Sequence, residues 1–372
     1  VIVLVSAISP YARMRRQARQ CVEKVAPFAE IYVQASVEAC AQRDPKGLYA
    51  KAMAGQIREF TGVSSPYEAP QTPDLILDTL SSDVAACANQ VLDLAERLSI
   101  PYANILQQAV QAALEAGQAI MQVYARDFSV SYKDDHSPLT QADQAADTII
   151  GQALRAAFPK YAILSEESID NGARRQNRFC FIVDPLDGTK EFLKGNGEFT
   201  VNIALMHNNE PYIGVIYVPY IHKIYFALKG AGCYLKTDVE PDHEALFDLP
   251  QIWSDTTRLP LCDKANEPIR IAVSRSHNTD ETFEHIARIK AVHPAAEIVE
   301  QGSSFKFCLL AEGTVEIYVR TSNTYEWDTA AGEIILSEAG GVVEPFDGGA
   351  GLQYNKISLH NPHFVCRSKY FR

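Results

Sequence analysis

The chain has 372 residues, 47% apolar and 22% charged, ordinary proportions for a soluble globular protein and enough length for two domains. A net charge of −12 argues against DNA, RNA or an anionic lipid surface as the main partner, although a metal site can reverse the local field for a small anionic substrate. No apolar run reaches membrane-spanning length, so no membrane span is expected.

In chain order, Val1–Ile8 is a β-branched run suited to a strand buried on both faces. It is too short for a signal peptide and lacks the basic flank and the small-residue cleavage site. With no initiator methionine, the natural N-terminus is expected upstream. Tyr11–Val25 reads as a basic helix and Glu30–Ala35 as a second strand. The run Arg43-Asp44-Pro45-Lys46-Gly47-Leu48-Tyr49 leads into a short helix and then Phe60-Thr61-Gly62. Pro66, Pro70 and Pro73 mark a loop, because proline fixes φ and removes a donor. Ser82–Leu98 has good helix propensity and Ser99-Ile100-Pro101 breaks it, which sets the expected domains at 1–98 and 99–372. The next helix, Tyr102–Arg126, carries Ile105, Ala109, Ala113, Ala116 and Ile120 in one packing stripe. Eight cysteines are scattered without a C-x-x-C pair, which points away from zinc or redox motifs and towards buried free thiols in a reducing cytoplasm.

Four acidic patches follow residue 130. In Ser137-Pro138-Leu139-Thr140-Gln141-Ala142-Asp143 the Thr-x-x-Asp spacing is that of a helix capping box. Leu164-Ser165-Glu166-Glu167-Ser168 places two acids after a short apolar strand, Tyr161–Leu164. In Phe181-Ile182-Val183-Asp184-Pro185-Leu186-Asp187-Gly188-Thr189-Lys190-Glu191-Phe192 a buried-type strand runs straight into two aspartates, a costly placement unless a cation meets them. Asp184 and Asp187 can face one cation with the Leu186 carbonyl between them, and Gly188 and Thr189 open a helix whose N–H groups suit phosphate oxygens. Glu326-Trp327-Asp328-Thr329-Ala330-Ala331-Gly332 puts Asp328 at the start of a helix ending near Gly340-Gly341, where an aspartate is also a common cap. Each patch alone has a bland reading as a cap, turn or solvated surface. Together they form an oxygen-only donor set suited to Mg2+, and so many carboxylates around a phosphate require two or three such ions, spaced about 3.5–4 Å apart.

Residues 1–80 resemble the C-terminal half of adenylylsulfate (APS) kinase through Ile8-Ser9-Pro10-Tyr11, the Arg43–Tyr49 run, Lys51-Ala52, Phe60-Thr61-Gly62 and Pro66-Tyr67-Glu68. No G-x-x-x-x-G-K-[ST] P-loop occurs in the sequence, so the segment is expected to lack kinase activity, as a vestige or as part of a bifunctional enzyme. Asp184-Pro-Leu-Asp-Gly-Thr189, Glu166-Glu167 and Trp327-Asp328-x-Ala-Ala-Gly332 resemble the lithium-sensitive inositol-monophosphatase superfamily over about residues 100–372. Lys190-Glu191-Phe192, Asn196–Asn202, Ser274-Arg275-Ser276-His277 and Gly302-Ser303-Ser304-x-Lys306 are similar to its 3′(2′),5′-bisphosphate nucleotidase branch.

The resemblance implies a layered α/β sandwich (α+β, sugar-phosphatase-like) preceded by a partial P-loop-NTPase-like α/β segment. It implies Glu166, Asp184, the Leu186 carbonyl, Asp187 and Asp328 as ligands of two or three Mg2+ ions, and Asp143 with Thr189 as the catalytic pair that activates water. Gly188, Thr189, Lys190, His277, Ser304, Lys306 and Arg320 would contact substrate, the cations meeting its second phosphate. The implied substrate is 3′-phosphoadenosine 5′-phosphate (PAP), with 3′-phosphoadenylylsulfate (PAPS) a further candidate, in sulfur assimilation. Inositol monophosphate, fructose 1,6-bisphosphate and an idle regulatory subunit stand as alternatives, and a homodimer is left open.

Overall fold

The computed structural model describes residues 2–126, 130–132, 138–239, 255–346, 348–349 and 351–371. The chain divides into two compact units, Val1–Pro101 and Tyr102–Arg372.

The first unit has α1 (Ala12–Val22), β1 (Ile31–Gln34), α2 (Val37–Arg43), α3 (Leu48–Met53), β2 (Leu75–Asp78) and α4 (Val84–Ser99). β1 and β2 form a two-stranded parallel sheet with Ile31 opposite Leu75 and Gln34 opposite Asp78. Residues 2–8 form no strand, contrary to the sequence expectation: Leu4 is 73% and Val5 83% exposed. Strand propensity needs a partner strand to pair with, and none lies beside this segment among the described residues. Polar ties organise the unit instead. Arg15 donates to the Ser9 and Glu68 carbonyls and pairs with Glu30 at 2.5 Å. Asp74 takes the Arg19 guanidinium and the Glu30 N–H. Asp44 caps α3 by accepting from the N–H groups of Leu48, Tyr49 and Ala50.

The second unit opens with α5 (Tyr102–Tyr124), whose expected stripe of Ile105, Ala109, Ala113, Ala116 and Ile120 is fully buried. Then come β3 (Val130–Tyr132), β4 (Pro138–Thr140), α6 (Gln141–Ala157), β5 (Ala162–Ser165), β6 (Phe179–Asp187), α7 (Thr189–Lys194), β7 (Thr200–His207), β8 (Glu210–Val218), β9 (Lys223–Leu228), β10 (Gly232–Lys236) and β11 (Thr257–Arg258). The chain ends with β12 (Arg270–Ser274), α8 (Asp280–Val292), β13 (Glu297–Gln301), α9 (Phe305–Glu312), β14 (Ile317–Arg320), α10 (Glu326–Glu338), β15 (Val342–Pro345) and β16 (Phe364–Arg367). Ser137, at the head of the first acidic patch, lies outside the described residues.

Seven strands form one sheet in the order β11-β10-β9-β8-β7-β6-β5, antiparallel except for β5 beside β6. Five form a second, β13-β12-β14-β16-β15, in which β13, β12 and β14 run parallel. Every residue of β7 is buried, as expected of a strand covered on both faces. α5 and α6 cover one face of the large sheet; α9 and α10 fill the layer between the sheets, and α8 closes the far side. The result is five alternating helix and sheet layers, the sandwich expected from the sequence. Gly214 on β8 lets α10 lie close on the sheet: a Cβ there would sit 2.3 Å from Ile334 and 2.6 Å from the Ala331 carbonyl. That contact fixes the helix whose first turn carries Asp328.

Candidate active site

The site gathers where the end of β6, the carboxyl ends of β12 and β14, and the starts of α7, α9 and α10 come together. Asp184 pairs with Asn202 across β6 and β7, but Asp187 pairs with Thr200, so β6 carries one extra residue between them. In a regular strand residues three apart point to opposite faces, and the bulge cancels that alternation. Pro185 sits inside it, where its missing N–H costs the ladder nothing. As a result Asp184, Asp187 and Asp328 offer carboxylate oxygens all within 4.8 Å of one another. Asp184 is buried, while Asp187 and Asp328 are half-buried.

The electrostatics follow from that crowding. Burial and then the charges of Glu166, Asp187 and Asp328 push the Asp184 carboxyl well above the ordinary range. Burial, Asp187 and Glu166 push Asp328 up to about 8, against the opposing N–H of Tyr325. Asp187 is also raised by burial, but Lys306 and the Ser304 N–H counter the shift. Glu166 lies outside the close trio, near enough to act on two of its members. Its loop is tied down by Ser165 and Ser168, whose hydroxyls donate to Asp147 on α6 at 2.5 and 3.1 Å.

Beside the trio, Thr140 caps α6 in the expected box with Asp143, whose Oδ2 accepts from the Thr140 N–H at 2.7 Å and its hydroxyl at 2.5 Å. The other oxygen, Oδ1, lies 3.1 Å from Thr189 Oγ1, which is also 3.4 Å from the Leu186 carbonyl. Burial raises the Asp143 carboxyl, and these hydrogen bonds oppose the rise. Gly188, with φ +95°, turns the chain from β6 into α7; a Cβ there would sit 3.1 Å from the Glu198 carbonyl.

Cationic groups border the trio as well, Arg320 among them opposing the rise of Asp187 and Asp328. Lys190 Nζ is 2.9 Å from His277 Nε2. An ammonium has no lone pair, so the imidazole nitrogen accepts and the ring is neutral. Burial, Lys190 and Arg320 hold His277 down at about 4. Arg320 ends β14, donates to the Asn323 carbonyl and has a buried Nε without a hydrogen-bond partner.

Two expected substrate contacts are placed otherwise. Lys306 is 2% exposed, its ammonium donating to the Gln301 and Ser303 carbonyls at 3.1 and 2.5 Å. Ser304 is also buried: its N–H donates to Asp187 Oδ2 at 2.5 Å and its hydroxyl to Asn202 Oδ1 at 2.7 Å. Both shape the wall behind Asp187 because α9 starts inside the layer between the sheets. The sequence reading missed Asn202, 3.4 Å from Asp187, and Glu191 and Glu198, which hold the Arg275-Ser276 segment. Their signal was an unusually polar set of residues inside a strongly apolar stretch. A separate cavity of about 340 Å³ lined by Arg258, Cys262, Glu338 and Lys369 contains none of these groups.

Residues 102–370 match the inositol monophosphatase family. The chain belongs to that family. Among its relatives within the inositol monophosphatase family is the 3′(2′),5′-bisphosphate nucleotidase CysQ of Salmonella typhimurium, 40% identical over 264 residues that cover 70% of this chain and 98% of that protein. The nucleotidase CysQ of Buchnera aphidicola is 38% identical over 270 residues, covering 71% and 93%. The crystal structure of CysQ from Bacteroides thetaiotaomicron, a bacterial member of the inositol monophosphatase family, superposes with a TM-score of 0.66 at 42% identity, covering 72% of this chain and 98% of that one. Residues 1–78, ahead of the inositol monophosphatase unit, match adenylylsulphate kinase.

Proposed function

We propose that the second unit is a Mg2+-dependent phosphomonoesterase that removes the 3′-phosphate of PAP, leaving AMP, and that PAPS is a further substrate. The observation that carries this is a carboxylate trio bordered by a Thr–Asp pair and by a Lys–His–Arg group, whose Arg320 acts on Asp187 and Asp328. The nucleotidases at 38–40% identity supply the substrate class.

The donor set fits a hard divalent cation. It is all oxygen, and burial together with the mutual repulsion of its acids weakens Asp184 and Asp328 as acids, a cost that a bound cation would relieve. Asp184, Asp187, Asp328, Glu166 and the Leu186 carbonyl would hold two or three ions. When bound, these ions would draw charge from the phosphoryl oxygens and acidify an attacking water.

The chain's own residues do the rest. Thr189, whose hydroxyl donates to Asp143 Oδ1, would turn a lone pair outward to orient the attacking water. As the water's proton moves to Thr189 Oγ1 the threonine's own proton moves to Asp143, and the departing 3′-oxygen takes its proton from a second water. Lys190 and Arg320 take the second phosphate, which lies beyond the reach of the acidic trio; Arg320 Nε supplies a donor with no other partner. His277 and Gly188 shape the wall between the two phosphates. Lys306 and Ser304 act as positioning residues behind Asp187. Helices among the described residues are not long and apolar enough to cross a membrane, and the eight cysteines are free, which supports a cytoplasmic enzyme.

The test is phosphate release from PAP and from inositol 1-phosphate with Mg2+, with and without lithium. Fast, lithium-inhibited release from PAP alone is expected. Release mainly from the inositol ester would overturn the substrate, and release from neither would overturn the activity.

A further inference from the structure

The loop Gln301–Ser304 delivers the Ser304 N–H to Asp187, so the orientation of that carboxylate depends on where the loop sits. Two groups hold it. From inside, Lys306 binds the Gln301 and Ser303 carbonyls. From outside, Glu198 Oε2 accepts from the Gly302 N–H at 2.8 Å.

Glu198 is itself fixed by two residues. Its N–H donates to Asn196 Oδ1 at 3.0 Å, and its carboxylate receives the Arg275 fork, Nε and Nη2 both at 2.7 Å. Arg275 in turn reaches the Glu300 carbonyl at 3.0 Å and the Glu300 carboxylate at 3.2 Å. Glycine is required at position 302 by the tightness of this seam: a Cβ would lie 2.6 Å from Glu191 Cγ and 2.8 Å from the Glu198 carbonyl. Ser303, at φ +52°, adopts a left-handed backbone that a serine holds only when its neighbours are pinned. Arg275 and Glu198 belong to the ends of different sheets, so the pair also spans the two layers that supply the site.

We infer that Glu198 is a positioning residue: clamped by Arg275, it holds the Gly302–Ser304 loop so that the Ser304 N–H aligns Asp187 for the metal. The carboxylate touches no reacting atom and acts through the loop. The inference rests on the proposed function for its metal arm and on geometry alone for its loop arm.

The experiment measures amide hydrogen exchange at Gly302 and Ser304, and Mg2+ affinity by calorimetry, in wild type, Glu198→Ala and Glu198→Gln. In the alanine variant, Ser304 exchange is expected to accelerate by about tenfold or more. Mg2+ affinity is expected to fall by roughly tenfold, the lower end for groups one step removed from a metal. Exchange in α8 should stay unchanged. Glutamine keeps an acceptor for Gly302, so it should recover much of both losses. Ser304 exchange and Mg2+ affinity within twofold of wild type in the alanine variant would overturn the clamp. If that variant does not fold, Arg275→Gln decides, since it removes the fork that clamps Glu198: Ser304 exchange and Mg2+ affinity within twofold of wild type would again count against the clamp. Faster exchange with unchanged affinity would overturn the link to the metal. A wild type that takes up no Mg2+ would sink the metal reading, while Ser304 exchange still decides the loop.

Discussion

Between residues 2 and 95, only Ala52, Leu77 and Leu94 are buried apolar side chains among the described residues, and the ties that join distant segments run through Arg15, Arg19, Asp74 and Arg43. From Tyr102 onward, one continuous core joins both sheets to α9 and α10, with Phe307, Tyr318, Phe364 and Ile335 at its centre. The contrast shows what each kind of interaction can support. Burial supplies roughly 25 cal/mol per Å2 of apolar surface, whereas an exposed ion pair contributes about 1 kcal/mol or less. A crowded set of buried acids is sustainable in the second unit because the surrounding core bears its cost. The first unit has no such reserve.

Truncating the core should therefore have the largest effect on stability. Phe307 packs edge-on to Tyr318 at 5.8 Å and over Gly332, where a Cβ would sit 2.4 Å from its ring. Phe307→Ala is expected to cost about 3–5 kcal/mol in denaturant unfolding followed by tryptophan fluorescence. A loss below about 1 kcal/mol would mean the second unit is not organised around this layer.

A pH effect should sharpen the comparison at intermediate size. Burial pushes Glu333 on α10 up to about 7 from 4.5, with Tyr354 donating to it at 2.6 Å. The folded state thus binds more protons than the unfolded one between those values, and Glu333 costs stability as pH rises from about 4.5 to about 7. Glu333→Gln should gain on wild type across that window in paired melting curves. His277 tilts both proteins alike and cancels in the difference. A constant gap would contradict this account.

The smallest effect belongs to the first unit. Asp74→Ala removes the partner of Arg19 and of the Glu30 N–H. It should cost about 1 kcal/mol or less, visible as faster amide exchange in α1 and β1 and not in the second unit. Unchanged exchange would break the claim that polar ties hold these elements.

How much was legible in the sequence follows the same division. Asp184 and Asp187 announced themselves because acids at the end of an apolar run are costly, Asp328 stood out only as part of the set and through the family resemblance, and the α5 stripe followed from spacing alone. The bulge that turns Asp184 and Asp187 to one face did not, because it exists only relative to the register of β7. Lys306 was expected to meet the substrate's second phosphate, since one sequence cannot show that α9 begins in an interior layer where its ammonium is buried. Glu198 and Arg275 are 77 positions apart, and their fork forms only when the two sheets meet. The strand expected at Val1–Ile8 failed for the opposite reason: local propensity was strong, but residues 2–8 have no strand beside them among the described residues.

The most direct test of the central claim is phosphate release from PAP by wild type and by Asp187→Ala, each with Mg2+ and after chelation. The account expects release by wild type that vanishes on chelation, and a loss in the variant larger than the roughly 10–100-fold typical of groups one step from a metal. Release that survives chelation, or an Asp187→Ala variant as active as wild type, would contradict it.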